Sequence, residues 1–202
     1  MNQDIPYNGS LTREKYLLNE SRIVAKLKQN EGLTNEEIVE KVYEENLFQY
    51  PSKKAVKSIA KACCKRVDSL NDATLVGLLI DGTSDQKNQI NLYAMMRTYR
   101  IMWEFMIMVV GEKYQTYDYS LTKADINNFL HHLQETSDRV ASWSEATIVR
   151  IRGTISNSLA AAGLIDNLRV GTLNPIYLDW ELEQGIRRNH DEIVLPSFNC
   201  FR

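Results

Sequence analysis

The chain has 202 residues, enough for one large domain or two small ones with a hydrophobic core of ordinary size. Hydrophobic residues make up 44% and charged residues 25%, which excludes a disordered chain. The formal net charge of −2 excludes a globally basic nucleic-acid binder, so any basic surface must be local.

The cysteines and the apolar runs indicate the cellular compartment of the protein. The three cysteines form no CxxC pair and no Cys/His spacing, so we expect no structural zinc and no other cofactor. Their odd number and the polar start MNQDIPYNGS, which lacks a signal peptide, predict a cytoplasmic protein. The most apolar run, residues 101–110, is shorter than the roughly 20 residues that a membrane-spanning helix needs.

Residues 1–70 predict three helices with short connections. The first runs from Thr12 to Gln29, and the second follows the capping-box pattern TNEE that begins at Thr34. The third, residues 53–67, follows the break at Pro51-Ser52. Three such helices are typical of a helix-turn-helix-like module, although plain helical bundles share the pattern.

Residues 71–115 predict the buried centre of the fold. A short apolar helix ends at Asp81-Gly82, and a long one extends from Ser84 to about Val110. The long segment is apolar over most of its circumference, which is typical of a helix surrounded by other elements.

Residues 116–189 predict a winged helix-turn-helix. One helix starts at the capping box of Thr122, and a second starts at Ser144 and ends at Gly163. Short extended stretches around the turn residues Asp166-Asn167 and Gly171 predict a small β-hairpin. The predicted fold is therefore mainly α: a helical bundle with a helix-turn-helix-like N-terminal part, this winged region and a C-terminal tail at 190–202.

The helix that begins at Ser144 has candidate nucleic-acid contacts. Its apolar stripe predicts an opposite polar side of Thr147, Arg150, Thr154, Asn157 and Ser158, with Arg152 on a flank. We expect Thr147 and Arg150 to reach base edges and Arg169 to bind phosphate from the wing. The same pattern is also found in ordinary amphipathic helices and in winged helices that dock proteins.

A lysine face on the third helix is the other candidate. Lys54, Lys57, Lys61 and Lys65 repeat at helical spacing, Lys53 and Arg66 flank them, and no acid lies between Ser52 and Val67. Such a row predicts salt-dependent phosphate binding. The glutamates of the preceding helix offer an alternative, because they could pair with these lysines or with a neighbouring protein.

Signals for catalysis are absent from the sequence. It has no phosphate-binding glycine loop, nucleophile elbow or HExxH motif, and the adjacent His131 and His132 point to different sides of a predicted helix. We therefore expect no enzyme activity and no small-molecule substrate.

Two long stretches, PYNGSLTREKYLLNESRIVAKL and WSEATIVRIRGTISNSLAAAGLID, carry a family resemblance. With the overall length and midsection, they resemble the BrxA family of BREX bacteriophage-defence systems. The resemblance implies a small, mostly helical bacterial protein that binds DNA beside larger BREX proteins with methyltransferase, ATPase and phosphatase-like activities. Together with the two basic helix faces, it predicts binding of double-stranded DNA. The family has also been likened to the antitermination factor NusB, which implies an RNA binder. A third interpretation is an assembly subunit that docks other defence proteins.

Overall fold

A computed structural model describes residues 5–166 and 171–201, and within them the chain is mainly helical, as predicted. These residues form eleven α-helices: α1 (Leu18–Glu31), α2 (Asn35–Glu44), α3 (Val56–Ser69), α4 (Ala73–Asp81), α5 (Ser84–Thr98), α6 (Arg100–Phe105), α7 (Glu112–Gln115), α8 (Lys123–Thr136), α9 (Asp138–Ala141), α10 (Glu145–Ala161) and α11 (Trp180–Arg188). Three 3-10 segments complete them: Gly9–Thr12, Lys53–Ala55 and Glu192–Phe198.

The N-terminal helices pack on one another around α3. Thr34 caps α2 with the predicted capping box: its amide donates to Glu37 Oε2 at 2.8 Å and its hydroxyl oxygen accepts from the Glu37 amide at 3.3 Å. The predicted start of the first helix at Thr12 is wrong. The chain makes a 3-10 turn there and then a loop ending at Leu17, whose φ of 49° is left-handed, so α1 begins only at Leu18.

The central segment is buried as predicted, but it is not one helix. Tyr99 adopts an extended conformation between α5 and α6, and a π-helical turn, Met106–Gly111, joins α6 to α7. The Ser197 hydroxyl donates to the Met106 carbonyl at 2.7 Å, where a Cβ on Gly111 would lie 3.2 Å from the Ser197 oxygen. The C-terminal 3-10 segment thus packs closely against the π-helical turn.

Within the described residues, the region after α10 departs from the predicted hairpin, whose turn residue Asn167 lies outside them. The described residues hold two isolated antiparallel bridges, Ser120–Thr172 and Ile165–Leu173, and no strand. One physical reason is Pro175, which lacks the amide that a longer ladder would need. The described residues therefore form isolated bridges where the winged helix-turn-helix prediction has a paired hairpin.

The C-terminal part is packed rather than a loose tail. Within 190–201, Val194, Leu195 and Phe198 are buried in the core. Tyr93 donates to the buried carboxylate of Asp191 at 2.8 Å. No helix among the described residues combines the length and apolarity that crossing a bilayer requires.

Candidate nucleic-acid interface

Local signals position α10 as the sequence predicts. The Ser144 hydroxyl oxygen accepts from the Thr147 amide at 3.3 Å, and the helix ends with Gly163 at a φ of 79°. The Leu164 amide then donates to the Leu159 carbonyl at 2.9 Å, which completes the predicted Schellman ending. The predicted apolar stripe is confirmed, because its members are all buried: Ile148, Ile151, Ile155, Leu159 and Ala162.

The predicted polar side of α10 is only partly exposed. Thr154 and Ser158 are buried, so their prediction as surface residues is wrong. The 3-10 turn Gly9–Thr12 packs against α10, and a Cβ on Gly9 would lie 3.6 Å from the Thr147 methyl group. Thr147 is consequently half-buried, and its hydroxyl pairs with that of Ser144 at 3.1 Å.

A narrow strip of α10 faces solvent. It consists of Ala146, Val149, Arg150, Gly153, Asn157 and Ala161, with Gly153 partly exposed. A Cβ on Gly153 would meet no atom within 4 Å, so the helix backbone is accessible there. Among the described residues the Arg150 side chain has no hydrogen-bond or ion-pair partner. Because Ala146, Gly153 and Ala161 are small, this face can approach another molecule closely. The unpaired guanidinium of Arg150 is then available to bind it.

The remaining predicted residues of this region have different positions. Arg152 is half-exposed, and its Nη1 donates to Asn127 Oδ1 of α8 at 2.9 Å. Arg169 lies outside the described residues, so its predicted phosphate contact stays a prediction. Beside the end of α10, the Leu173 amide donates to the Tyr119 carbonyl at 2.8 Å and the Asn174 amide donates to the Leu164 carbonyl at 2.7 Å.

The lysine face of α3 is partly neutralised by α2. Lys57 Nζ lies 2.6 Å from a Glu40 carboxylate oxygen and 4.5 Å from the centre of the Tyr43 ring. Lys53 Nζ donates to the Glu44 carbonyl at 3.0 Å and lies 5.0 Å from the same ring centre. The alternative in which α2 glutamates pair with these lysines is thus realised for Lys57.

Lys54, Lys61 and Lys65 remain exposed, and the described residues offer none of them a hydrogen bond or an ion pair. Lys61 and Lys65 nevertheless line a groove of about 480 Å³ between α2 and α3. Three acids share its wall: Glu36, Glu40 and Asp68. The groove therefore has mixed charge, and its basic side attracts phosphate less strongly than an isolated lysine row.

Arg66 is not part of the surface. Its guanidinium is fully buried and donates to the carbonyls of Glu14, Lys15 and Tyr16 at 2.6, 2.5 and 2.7 Å. The sequence contains a signal for this burial, because Arg66 follows Cys63 by three residues and so falls on the apolar side of α3. Its prediction as a flank of the lysine face is wrong.

The cysteines and histidines of the described residues form no metal site. Burial raises the pKa of Cys63 to about 12 and that of Cys64, at the groove floor, to about 11, so both thiols stay protonated near neutrality. His131 pairs with Glu135 at 3.3 Å on the exposed side of α8. Across residues 5–166 and 171–201, no three His, Cys, Asp or Glu side chains converge on a metal position.

The fold and the interface define a mainly helical protein in which one C-terminal helix offers a narrow, accessible face beside two bridged segments. A model of the BrxA family matches residues 5–190. The chain belongs to the BrxA family, as its resemblance predicted, and is a component of a BREX anti-phage system.

Individual relatives extend over most of the chain. "BREX protein BrxA" from Bacillus cereus (strain H3081.97) is 33% identical over 138 residues, which are 68% of this chain and 68% of that protein. "BREX protein BrxA" from Escherichia coli O9:H4 (strain HS) is 24% identical over 92% of this chain and 86% of its own length. The crystal structure of an uncharacterized protein from Magnetospirillum magneticum superposes with a TM-score of 0.81 at 18% identity, covering 95% of this chain and 97% of that one. That structure shares the fold.

Proposed function

We propose that this BREX component is a non-enzymatic protein that binds double-stranded DNA through α10. The observation that carries the proposal is the exposed strip of α10, where the unpaired guanidinium of Arg150 lies three residues from the accessible backbone at Gly153. A major groove admits an α-helix, and an arginine can donate two hydrogen bonds to one guanine. A strip of small residues lets the helix descend far enough for Arg150 to reach the bases.

The order of the C-terminal elements supports the same proposal. α8, the short α9 and α10 are followed by segments that bridge to each other and to the residues before α8. This is the order of a winged helix-turn-helix, in which α10 takes the position of the recognition helix. The wing then corresponds to the bridged segments at Ile165 and Leu173, and the phosphate contact predicted for Arg169 belongs to the same proposal.

The lysine face takes a secondary part in this proposal. Lys54, Lys61 and Lys65 supply unpaired charge, whereas Lys53 and Lys57 are already engaged by α2. Counterion release by the three unpaired lysines adds affinity without sequence preference.

The test is fluorescence anisotropy with a labelled random-sequence duplex of about three helical turns, titrated between about 50 and 200 mM salt. We expect Arg150→Ala to weaken duplex binding about tenfold at the lowest salt, because on a random sequence the loss is that of one cation facing the DNA. Gly153→Glu should abolish binding, because it places a bulky negative side chain where the groove would meet the backbone. Lys26→Ala is the matched control, since Lys26 is an exposed cation of α1 beside Ile80 and Asp81.

Two results would contradict DNA binding. A preference for a structured RNA hairpin over the duplex would support the NusB-like interpretation instead. Absence of duplex binding even at about 50 mM salt would favour an assembly subunit. Equal affinity of the wild type, Arg150→Ala and Gly153→Glu would remove α10 from the interface.

One observation favours the assembly subunit as a second candidate function. Tyr177, Trp180 and Phe201 are 95%, 64% and 53% exposed, although aromatic side chains of this size are usually covered. Tyr177 and Phe201 line a common groove of about 390 Å³ at the C-terminal side of the molecule. Exposed aromatic residues are enriched at protein-docking surfaces. Co-purification with another BREX protein that is lost in Tyr177→Ser/Phe201→Ser would support this candidate.

A further inference from the structure

We infer that residues 9–15, called the N-terminal arm below, form a second nucleic-acid contact beside α10, in which Arg13 and Lys15 bind backbone phosphates of the same duplex. The inference rests on the proposed DNA binding by α10 and deepens it. Neither cation belongs to a periodic basic face in the sequence, because both lie in a short polar segment.

The arm lies against α10. Its 3-10 turn, Gly9–Thr12, packs on the helix, and Leu11 of that turn is fully buried. Gly9 lies next to Thr147, which is in the first turn of α10. The arm therefore flanks the end of α10 that a winged helix-turn-helix presents to base edges.

The arm is held rigidly from the inside. Arg66 binds the carbonyls of three consecutive residues, and Asn91 Nδ2 adds a second bond to the Tyr16 carbonyl at 2.7 Å. These bonds order the backbone at Lys15 without using its side chain. Side chains that contact a ligand bind with less entropic cost when their backbone is already ordered.

The acidic and basic side chains of the arm lie on opposite sides of it. Glu14 turns inward, where its Oε2 accepts from the Tyr99 hydroxyl at 2.6 Å and from Ser10 Oγ at 3.1 Å. Arg13 and Lys15 are exposed, and neither has a hydrogen-bond or ion-pair partner for its side chain in the described part of the chain. The outer side of the arm is consequently positive, although the sequence there alternates base, acid and base.

Phosphate is the chemistry that fits this pair. Two unpaired cations on an ordered backbone can neutralise neighbouring phosphates, and such contacts set the position of a protein on the duplex. Because the arm flanks the start of α10, phosphates that border the groove occupied by α10 are the ones within its reach. The arm thereby fixes how α10 enters the groove.

The experiment compares Arg13→Ala/Lys15→Ala with the wild-type chain in the anisotropy titration. Each lost phosphate contact makes the negative slope of log K against log salt shallower by about 0.9, so we expect it to become shallower by about 1.8. The loss of affinity should be roughly tenfold larger at about 50 mM than at about 200 mM salt. Arg13→Lys/Lys15→Arg should keep both the slope and the affinity, because it preserves the charges.

The matched control is Lys26→Ala/Lys87→Ala, which removes two cations from α1 and from the first turn of α5. It should leave the slope within about 0.3 of the wild type if the effect is local. A wild-type slope in Arg13→Ala/Lys15→Ala, with duplex binding intact, would overturn the inference and leave the proposed function standing. Failure of the wild-type protein to bind duplex would overturn both. Because both side chains are exposed, we expect the midpoint of thermal unfolding of the variant to be unchanged, which would exclude misfolding.

Discussion

The buried guanidinium of Arg66 offers the sharpest test of how the N-terminal arm is held. Replacing it by Met keeps the volume of the side-chain stem and removes the charge and all donors. The carbonyls of Glu14 and Lys15 then lose the donor that Arg66 provides, and the Tyr16 carbonyl keeps only the bond from Asn91. Because these acceptors are backbone carbonyls, no second substitution can replace them by apolar groups.

The expected loss follows from these contacts. A hydrogen bond with a charged group contributes roughly 1.5–3 kcal/mol, and bonds from one guanidinium are not additive. Removing one partner of a buried charged network typically costs about 3–5 kcal/mol. We therefore expect Arg66→Met to lower the free energy of unfolding by about 4 kcal/mol. Lys65→Met, at the neighbouring exposed position, should change it by less than about 0.5 kcal/mol.

Two assays measure this effect. Urea unfolding, followed by circular dichroism, gives the free energy of unfolding of Arg66→Met and Lys65→Met. Trypsin cleaves after Arg13 or Lys15, so its rate reports opening of the arm under native conditions. Cleavage at these sites should be faster in Arg66→Met and unchanged in Lys65→Met. A loss below about 1 kcal/mol, with wild-type cleavage, would refute the conclusion that Arg66 anchors the arm.

Gly185→Ala should lower the free energy of unfolding by about 1–3 kcal/mol, because its Cβ would lie 2.6 Å from Leu75 Cδ1. Gly153→Ala, with nothing within 4 Å, should raise it by about 0.5–1 kcal/mol, and effects of the same sign in urea unfolding would contradict this packing. Burial raises the pKa of Cys64 to about 11 and of Cys63 to about 12, above the usual value of about 8.5, so folding favours the protonated thiols. Their stabilisation is fully present below about pH 8.5 and is lost as the pH rises towards 11–12. Urea midpoints should therefore fall less steeply with pH in Cys63→Ala/Cys64→Ala than in the wild type. An identical decline in both proteins would contradict the raised pKa of these thiols.

The elements that could be predicted are those with local signals. Ser144 and Gly163 bound α10 because a capping hydroxyl and a left-handed glycine act within one helical turn. The capping box at Thr34 and the buried stripe of α10 depend on similarly short-range patterns. These features need no knowledge of the rest of the chain.

The errors come from contacts between distant segments. Thr154 and Ser158 look like surface residues of an amphipathic helix, yet they are buried on a helix that the turn Gly9–Thr12 packs against. Lys57 looks unpaired in its own helix, and its counter-charge Glu40 belongs to the helix before it. Periodicity assigns a face to a helix and does not say which segment covers that face.

The same long-range contacts make the two candidate basic surfaces differ in charge. On α3, pairing with Glu40 and the acids of the adjacent groove reduce the field of the lysines. On α10, the N-terminal arm lies beside the half-buried Thr147 and carries its own cations, Arg13 and Lys15. Because Arg66 of α3 binds the arm and the turn Gly9–Thr12 packs against α10, the N-terminal helices contribute to the α10 surface by positioning this arm. A duplex on α10 would therefore be bound by both ends of the chain, and the salt slope of the arm variant measures the N-terminal share.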